Sequence, residues 1–489
     1  MPFAIDLLEF LQLDIPLVFP QIILIITATL MLWPGDLLVQ KGEKSRWAFV
    51  SISALILSGM FVYKAPIASG FSCMFQVDNI TKGFQYIVLA SGITTVLLSN
   101  LQLEILNKQS VEYYSLLLFS ISGMLFLVGS TDLVSIYFSM ELMTLCIYIL
   151  VAYFRTKERS IEAGIKYFLL GTFSSAILLF GISILFAASG GITTNLLEIN
   201  ELLALVPISN NLFVFAGIMM LLVGLCFKVA AAPFHMWSPD VYDGAPTSVT
   251  LFISIAPKAA SMAAFAHIFG TGLSSNSHNW MAIIAIIAAI SMTLGNIAAL
   301  KQQTMKRLLA YSSIAHIGYM LLGIMSSGVP GGIQAVWLYM LTYLIMQSGI
   351  FNIVIFLQDK EYEERVDDFR GLAKTYPILA FAMMILLLSL AGIPPLIGFF
   401  SKFYLLKLAI EQGYIVLTTI AVLTSTIAAY YYLNVVALMY FKDPTATRLA
   451  INKHPIGLTT KIIVGSSCIL TLFGICFSSY LIDLVSMII

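Results

Sequence analysis

Fourteen long apolar runs follow one another along this chain, and they constrain its fold more than any other feature. Because about 20 consecutive apolar residues cross the hydrocarbon core of a bilayer, each run predicts a membrane-spanning helix. We therefore predict an all-α polytopic membrane protein with about 14 transmembrane helices and no β-strands. The runs cover residues 16–35, 47–63, 79–99, 111–129, 131–154, 161–188, 211–232, 247–270, 279–299, 307–326, 332–357, 376–410, 414–440 and 461–487.

Composition supports a membrane location. Of the 489 residues, 60% are hydrophobic and 10% are charged, whereas soluble domains are about 25% charged. The formal net charge is zero, which gives no support for binding to nucleic acid. The five cysteines lie far apart and lack the spacing of a metal site or a disulfide framework.

Two further features of the sequence bear on processing and cofactors. The first twenty residues carry Asp6 and Glu9 and no basic segment, so we predict no cleaved signal peptide. Without a nucleotide-binding motif, we predict that the chain holds no redox cofactor of its own.

The basic residues are distributed unevenly between the loops. Eighteen of the 25 lysines and arginines lie in loops after odd-numbered runs, among them Lys306, Arg307 and Lys461. Lys64 is the only one in a loop after an even-numbered run. The positive-inside rule then places the odd-numbered loops in the cytoplasm, or its organellar equivalent, and both termini on the opposite side. The longest polar stretch, residues 358–374, is predicted to be a cytoplasmic loop or a partner contact.

Prolines interrupt the seventh run at Pro233 and the twelfth run at Pro394–Pro395. Proline removes a backbone donor and clashes with the preceding turn, so both helices should be broken. The breaks lie five runs apart, and each has a lysine nearby, Lys228 or Lys402. This offset predicts two five-helix units, the second inverted in the membrane. The predicted divisions are 1–110 for the first three helices, 111–270 and 271–440 for the two units, and 441–489 for the last helix.

Four charged residues lie deep inside apolar runs: Glu141, Lys228, Lys258 and Lys402. Each costs roughly 2.5–3.5 kcal/mol on insertion scales, so together they cost on the order of 10 kcal/mol. Lysine can exchange a proton in such surroundings because its pKa moves easily, whereas arginine stays charged. We favour a proton pathway over a purely structural ion pair.

Two further candidates are less specific. Glu162 and Lys166 are spaced i, i+4 on the sixth helix and could form an entry pair or an interfacial salt bridge. Lys166 is the better candidate because it lies a turn deeper. His316 is flanked by Ser312 and Ser313, and either a proton relay or a hydrogen-bonded structural role fits.

Three segments of the chain carry a family resemblance. They are FKVAAAPFHMWSPDVYDGAPT, KRLLAYSSIAHIGYMLLG and LAGIPPLIGFFSKFYL. They resemble the antiporter-like N subunit of respiratory complex I, NADH:quinone oxidoreductase, called subunit 2 or B in the related photosynthetic complex. The resemblance covers almost the whole chain and implies fourteen helices, two inverted five-helix repeats (helices 4–8 and 9–13) and broken seventh and twelfth helices. It also implies that the proton-translocating residues are Glu141, Lys166, Lys228, Lys258, His316 and Lys402.

The same resemblance implies a function. Quinone reduction elsewhere in the complex drives proton movement, with Lys166 and Lys228 on the entry side, Glu141 tuning Lys228, and Lys402 towards the exit. NADH, FMN, iron–sulfur clusters and quinone are expected in other subunits, and no cofactor or metal in this chain. Expected partners are neighbouring antiporter-like and small membrane subunits and lipids, in a bacterial inner membrane or a thylakoid or other organellar membrane. The alternative is a subunit of a multi-subunit Na⁺/H⁺ antiporter, which shares the repeat and the lysines. A scaffold without transport is disfavoured by the four buried charges.

Overall fold

The computed structural model describes residues 14–33, 45–105, 110–204, 212–358, 365–444 and 456–477. The predictions for residues 1–13 and for residues 359–364 of the polar loop lie outside these ranges. Within them, 13 helices are long and apolar enough to cross a membrane. The chain is therefore a multi-pass membrane protein.

We number the helices by the predicted spans. They are α1 (Ile15–Leu32), α2 (Ser45–Lys64), α3 (Asn79–Ile105), α4 (Val111–Gly129), α5 (Leu133–Val151), α6 (Glu158–Ala188), α7a (Leu212–Val229), α7b (Trp237–Gly244), α8 (Thr247–Phe265), α9 (Ser277–Ala299), α10 (Met305–Met325), α11 (Gly332–Gln358), α12a (Pro377–Ala391), α12b (Ile397–Glu411), α13 (Ile415–Phe441) and α14 (Leu458–Phe473). A short helix, Leu196–Ala204, lies between α6 and α7a, and α8 continues as a π-helix, Ala266–Gly272.

Both predicted breaks are present. The seventh run ends at Val229 and resumes as the eight-residue helix α7b. The twelfth run consists of two 15-residue helices, α12a and α12b, separated by residues 392–396. With 15 residues each, α12a and α12b are both too short to count among the 13 spans of the described residues. Together they correspond to the twelfth of the fourteen predicted runs.

The expectation that the chain has no strands is wrong. β1 (Ala68–Gly70) and β2 (Phe75–Val77) form an antiparallel hairpin between α2 and α3. Its tip contacts two other loops, because Thr131 Oγ1 and Asn195 Nδ2 both donate to the Cys73 carbonyl. Strands of three residues are too short to show an alternating pattern, which is why the sequence did not reveal them.

The loops gather on two opposite faces. The hairpin follows α2, Thr131 follows α4 and Asn195 follows α6, so the even-numbered loops contact one another. Loops after α9 and α11 meet at a β-bridge between Thr304 and Arg365. Lys374 and Asp443, after α11 and α13, form an ion pair of 2.5 Å, and this hydrogen bond lowers the pKa of the exposed Asp443 carboxyl. The even-numbered loops thus contact one another, and so do the odd-numbered loops, which agrees with spans that cross the membrane in alternating directions.

Several basic residues predicted to lie in loops belong to helices instead. Arg46 and Lys64 lie at the two ends of α2, Arg159 lies in the first turn of α6, and Lys374 lies in a short helix, Leu372–Thr375. Lys306 and Arg307 lie in the first turn of α10, because Thr304 caps that helix by accepting from the Arg307 backbone N–H. Lys306 is 3% exposed and donates to the Ala245 carbonyl at 3.1 Å. Lys461 lies in the first turn of α14.

Helix α8 forms the centre of the bundle. Every one of its residues from Thr247 to Phe265 is buried. It packs against α3, α4, α5, α7a and α11. Large apolar side chains instead cover the outer faces, such as Phe173 on α6 and Leu423 on α13, where lipid or a neighbouring subunit can cover them. A lysine on α8 is therefore held by protein on all sides.

Candidate functional site

Lys228 and Glu141 face each other inside the bundle. Lys228 is the second-to-last residue of α7a, and its side chain is 2% exposed. Its Nζ donates to Ser175 Oγ on α6 at 3.0 Å and lies 3.8 Å from Glu141 Oε1 on α5. That oxygen has no hydrogen-bond partner within the described residues. Since charge-assisted hydrogen bonds are about 2.7–2.9 Å long, the pair is an electrostatic contact that a small side-chain movement can tighten or open.

Protein groups satisfy the backbone at the break after α7a. Trp237 Nε1 donates to the Phe227 carbonyl at 2.9 Å, and Ser291 Oγ accepts from the Ala232 N–H at 2.9 Å. A buried break is stable only when such freed groups find partners. These contacts hold Lys228 at the C-terminal end of α7a, where the helix dipole favours a positive charge.

Lys258 lies in the middle of α8 and is 1% exposed. Its Nζ donates to Ser313 Oγ on α10 at 2.8 Å and lies 5.6 Å from the centre of the Tyr242 ring on α7b. Within the described residues no carboxylate lies at ion-pair distance from this lysine. Lys258 is therefore held by a hydroxyl and an aromatic ring, and it is not part of a salt bridge between described residues.

One face of α10 connects Lys258 with the second half of the bundle. Ser313, His316 and Tyr319 are spaced three residues apart, so neighbouring members of the set contact each other and form an inclined strip about 9 Å long on the helix surface. His316 is 3% exposed, and its Nδ1 lies 2.6 Å from the Tyr339 hydroxyl on α11. Lys258 and Lys402 both lie close enough to interact electrostatically with His316.

Lys402 lies at the break of the twelfth span. It belongs to α12b, is 6% exposed, and donates to the Leu390 and Ala391 carbonyls at 2.8 and 3.1 Å. These carbonyls end α12a, so the partial negative charge of a helix C-terminus takes the place of a carboxylate. Lys402 Nζ also lies 5.2 Å from the centre of the Tyr319 ring, which brings it to the polar face of α10.

Gly392 makes room for Lys402. Its φ is +85°, and a Cβ added there would lie 3.0 Å from Lys402 Cδ. We expect Gly392→Ala to lower stability by about 1–2 kcal/mol, because an L-residue is strained at this φ, and to lower proton transfer by displacing Lys402. Thermal unfolding and proton pumping of the assembled protein measure the two effects.

Gly413→Ala is the matched control for this prediction. Gly413 has a φ of +81°, but an added Cβ would meet nothing within 4 Å. The control should therefore show the same loss of stability with normal pumping. Equal pumping in the two variants would show that the position of Lys402 does not matter.

Lys166 belongs to a separate charged cluster. Its Nζ lies 2.7 Å from Glu162 Oε1 and 2.9 Å from Asp240 Oδ2, and its side chain is 43% exposed. Asp240 also accepts a hydrogen bond from Arg307 of α10. The cluster thus joins α6, α7b and α10 around a cavity of about 300 Å³, near the loops that contain Thr304. Both interpretations of the Glu162–Lys166 pair, entry pair or interfacial salt bridge, fit this geometry.

The six predicted residues therefore fall into three groups. Glu141 pairs with Lys228. Lys258 and Lys402 reach the strip of α10 that contains His316. Lys166 lies in the charged cluster. No hydrogen bond or ion pair between described residues joins Lys228 directly to Lys258. The described chain also contains no group of three or more His, Cys, Asp and Glu side chains that could hold a metal ion.

Sequence reasoning missed most of the partners of these residues. The missed groups are hydroxyls, rings and charges contributed by distant helices. The sequence-based prediction gives Asp240 no role and assigns Arg307 to a loop. A signal was available for Thr304, whose position before a helical run is typical of an N-cap. The missed partners are Ser175, Tyr242, Asp240, Arg307 and Tyr339.

Fold and site together define a multi-pass membrane protein with a buried row of protonatable side chains. Residues 130–428 match the family model described as NADH:quinone oxidoreductase/Mrp antiporter, transmembrane. NADH-quinone oxidoreductase subunit N 2 of Rhizobium meliloti is 41% identical over 428 residues, which cover 87% of this chain and 88% of the relative. The chain belongs to the subunit N family of NADH-quinone oxidoreductase.

Solved structures agree with this assignment. A chain of respiratory complex I from Thermus thermophilus superposes with a TM-score of 0.78 at 28% identity, over 94% of this chain and 98% of that chain. A chain of the Mrp complex from Dietzia gives a TM-score of 0.81 at 20% identity, over 96% of each. The second likeness shows a shared fold alone.

Proposed function

We propose that this chain is a proton-translocating membrane subunit of an NADH:quinone oxidoreductase. It moves protons across the membrane through its row of buried side chains, while quinone reduction takes place in other subunits of the complex. The observation that carries the proposal is the burial of Lys228, Lys258 and Lys402 at 3%, 1% and 6% exposure. Charges this deep in a membrane bundle are expensive, and they mark ion and proton paths.

The proposed route uses the three groups of residues in sequence. Lys166 and the charged cluster around it lie on the entry side, and Lys228 with Glu141 follows. Lys258 and His316 bridge the two halves through the face of α10, and Lys402 leads to the exit. Lysine and histidine suit this task because each exists in a protonated and an unprotonated form in such surroundings.

The architecture of this route is proposed to be a pair of inverted repeats, α4–α8 and α9–α13. Residues 1–110 precede the first repeat, 111–270 and 271–440 form the two repeats, and 441–489 contain α14. The broken helices at equivalent places, each with a lysine at its break, support this division. The basic odd-numbered loops support placing both termini on the non-cytoplasmic side of an energy-transducing membrane.

The chemistry of electron transfer is assigned to partners. NADH, FMN, iron–sulfur clusters and quinone bind in other subunits, and this chain lies beside neighbouring antiporter-like and small membrane subunits. The exposed apolar faces of α6 and α13 suit lipid and subunit contacts.

A subunit of a cation/proton antiporter is the second candidate function. The family model that matches residues 130–428 also names the Mrp antiporter, but the chain is 41% identical to the Rhizobium subunit N and 20% identical to the Dietzia Mrp chain. Proton movement through buried lysines is common to both candidates, so the partners distinguish them.

Purification in mild detergent tests the assignment. A tagged chain is expected to co-purify with a large assembly that oxidises NADH and reduces quinone. The reason is that the exposed apolar side chains on several helices require either lipid or apolar partners. Isolation with cation-antiporter subunits alone, without quinone-reducing activity, would contradict the proposal.

A further inference from the structure

Helix α11 presents two buried polar side chains to the centre of the bundle. Tyr343 and Gln347 are four residues apart, so they lie on one face, and they are 1% and 0% exposed. Neither was singled out by the sequence. They occupy the part of α11 that faces α10, since the Tyr343 ring lies 5.1 Å from the His316 ring.

Gln347 lies at the depth of Lys258. Helices α8 and α11 run in opposite directions and are joined at one end, where Thr247 Oγ1 donates to Gln358 Oε1 at 2.8 Å. Lys258 lies eleven residues from Thr247, and Gln347 lies eleven residues from Gln358. At 1.5 Å per residue both are about 16 Å from that hydrogen bond along the helix axes.

Tyr343 lies beside the proton-carrying groups. Its hydroxyl neighbours the Gln347 amide and the Ser313 hydroxyl, and Ser313 accepts the hydrogen bond of Lys258 at 2.8 Å. His316, one turn from Ser313 on α10, contacts the Tyr343 ring. Tyr343 and Gln347 thus adjoin both Lys258 and His316.

Three polar atoms of this pair have no protein partner. Gln347 Nε2, Gln347 Oε1 and the Tyr343 hydroxyl are buried and make no hydrogen bond within the described residues. Buried polar groups are nearly always hydrogen-bonded, and a buried water typically makes about three such bonds. A donor, an acceptor and a hydroxyl grouped together are the set that binds water.

We propose that Tyr343 and Gln347 position buried water that completes the hydrogen-bonded route between Lys258 and His316. This inference rests on the proposed function. One proton leaves Lys258 Nζ, which becomes a neutral amine, and passes through Ser313 and the water. Each intermediate oxygen takes up one proton as it releases another. The proton arrives at Nε2 of His316, while Nδ1 carries the N–H of the neutral ring and donates it to the Tyr339 hydroxyl, and the ring becomes a cation. Tyr343 and Gln347 themselves remain unchanged.

Two substitutions test the positioning role in the assembled complex. Gln347→Met and Tyr343→Phe remove the polar atoms and keep the size of the side chains. Each is expected to lower the rate of proton pumping by about fivefold, since each removes about one hydrogen bond from the route. Assembly is checked by co-purification of the partner subunits.

Asn352→Leu is the matched control. Asn352 lies on the same helix, is 1% exposed, and has both amide atoms without a partner within the described residues. It is five residues from Gln347, which turns it well away from the face that carries Tyr343 and Gln347. The control should pump normally. Equal losses in all three variants would indicate a general packing effect and overturn the proposal.

A density map of the unsubstituted complex at a resolution that shows water gives a second measurement, which does not depend on folding of variants. Water within hydrogen-bond distance of Gln347 is expected, and a dry site would contradict the proposal.

The variant Lys258→Met distinguishes failure of the water bridge from failure of the proposed function. If it abolishes pumping while Gln347→Met and Tyr343→Phe pump normally, the water bridge is wrong and the proposed function stands. If Lys258→Met also pumps normally, the proposed function fails.

Discussion

Replacement of Lys258 by methionine is expected to lower proton pumping by about tenfold or more, because positioned proton-transfer groups contribute factors of about 100 or more. Lys258 is the one titratable side chain at the centre of the fully buried helix α8. Methionine has a similar length and no charge, so it fills the same space without the proton. Removing a buried charge in favour of an apolar side chain is often neutral or stabilising, by about 1–4 kcal/mol. The variant should therefore assemble normally and unfold at the same or a higher temperature.

The measurement is the rate of proton uptake during NADH oxidation, with the complex reconstituted in sealed vesicles. Lys407→Met serves as the control, because Lys407 is 56% exposed and pairs with Glu411 at 3.7 Å on the surface of α12b. Normal pumping by Lys258→Met would show that protons do not pass through the centre of α8.

Substitution of Glu141 by glutamine is expected to cause the second large effect. The change leaves Lys228 buried with Ser175 as its hydrogen-bond partner and without its counter-charge at 3.8 Å. Breaking a buried pair by removing one partner costs about 3–5 kcal/mol, at the lower end here because Glu141 is 20% exposed. Both stability and pumping should therefore fall.

The double variant Glu141→Gln, Lys228→Met distinguishes stability from function. Removing the Lys228 charge, which lacks a counter-charge in Glu141→Gln, should restore much of the thermal stability. Pumping should stay low because neither side chain of the pair can then carry a proton. Thermal unfolding and vesicle assays of the two single variants and the double variant form a double-mutant cycle. Additive changes in unfolding free energy would show that the two side chains do not interact.

The break residues and the buried lysines are the parts of the site that could be predicted. Pro233 and Pro394–Pro395 interrupt runs that are otherwise apolar, and Lys228, Lys258 and Lys402 are conspicuous in such runs. Glu141 could be placed near mid-membrane by counting from the N-cap Asp132, which caps α5 by accepting from the Val134 and Ser135 N–H groups. Each of these signals depends only on local composition and helix geometry.

The partners of these residues could not be predicted. Lys258 donates to Ser313, 55 residues away, and Asp240 binds Arg307, 67 residues away. Lys402 is stabilised by the Leu390 and Ala391 carbonyls at the end of another helix, which no side-chain pattern reveals. The hairpin after α2 was missed because its strands have three residues each.

The sequence by itself determined that the chain crosses the membrane about fourteen times, that two of its helices are broken, and that four charges lie at depth. These properties follow from the thickness of the bilayer, the missing donor of proline and the cost of burying charge, which act on short stretches of chain. Only the tertiary structure decided which charges meet which hydroxyls, rings and carbonyls. Those contacts depend on how helices that are distant in sequence pack together. The pattern of spans and loops does not specify the distances between packed helices.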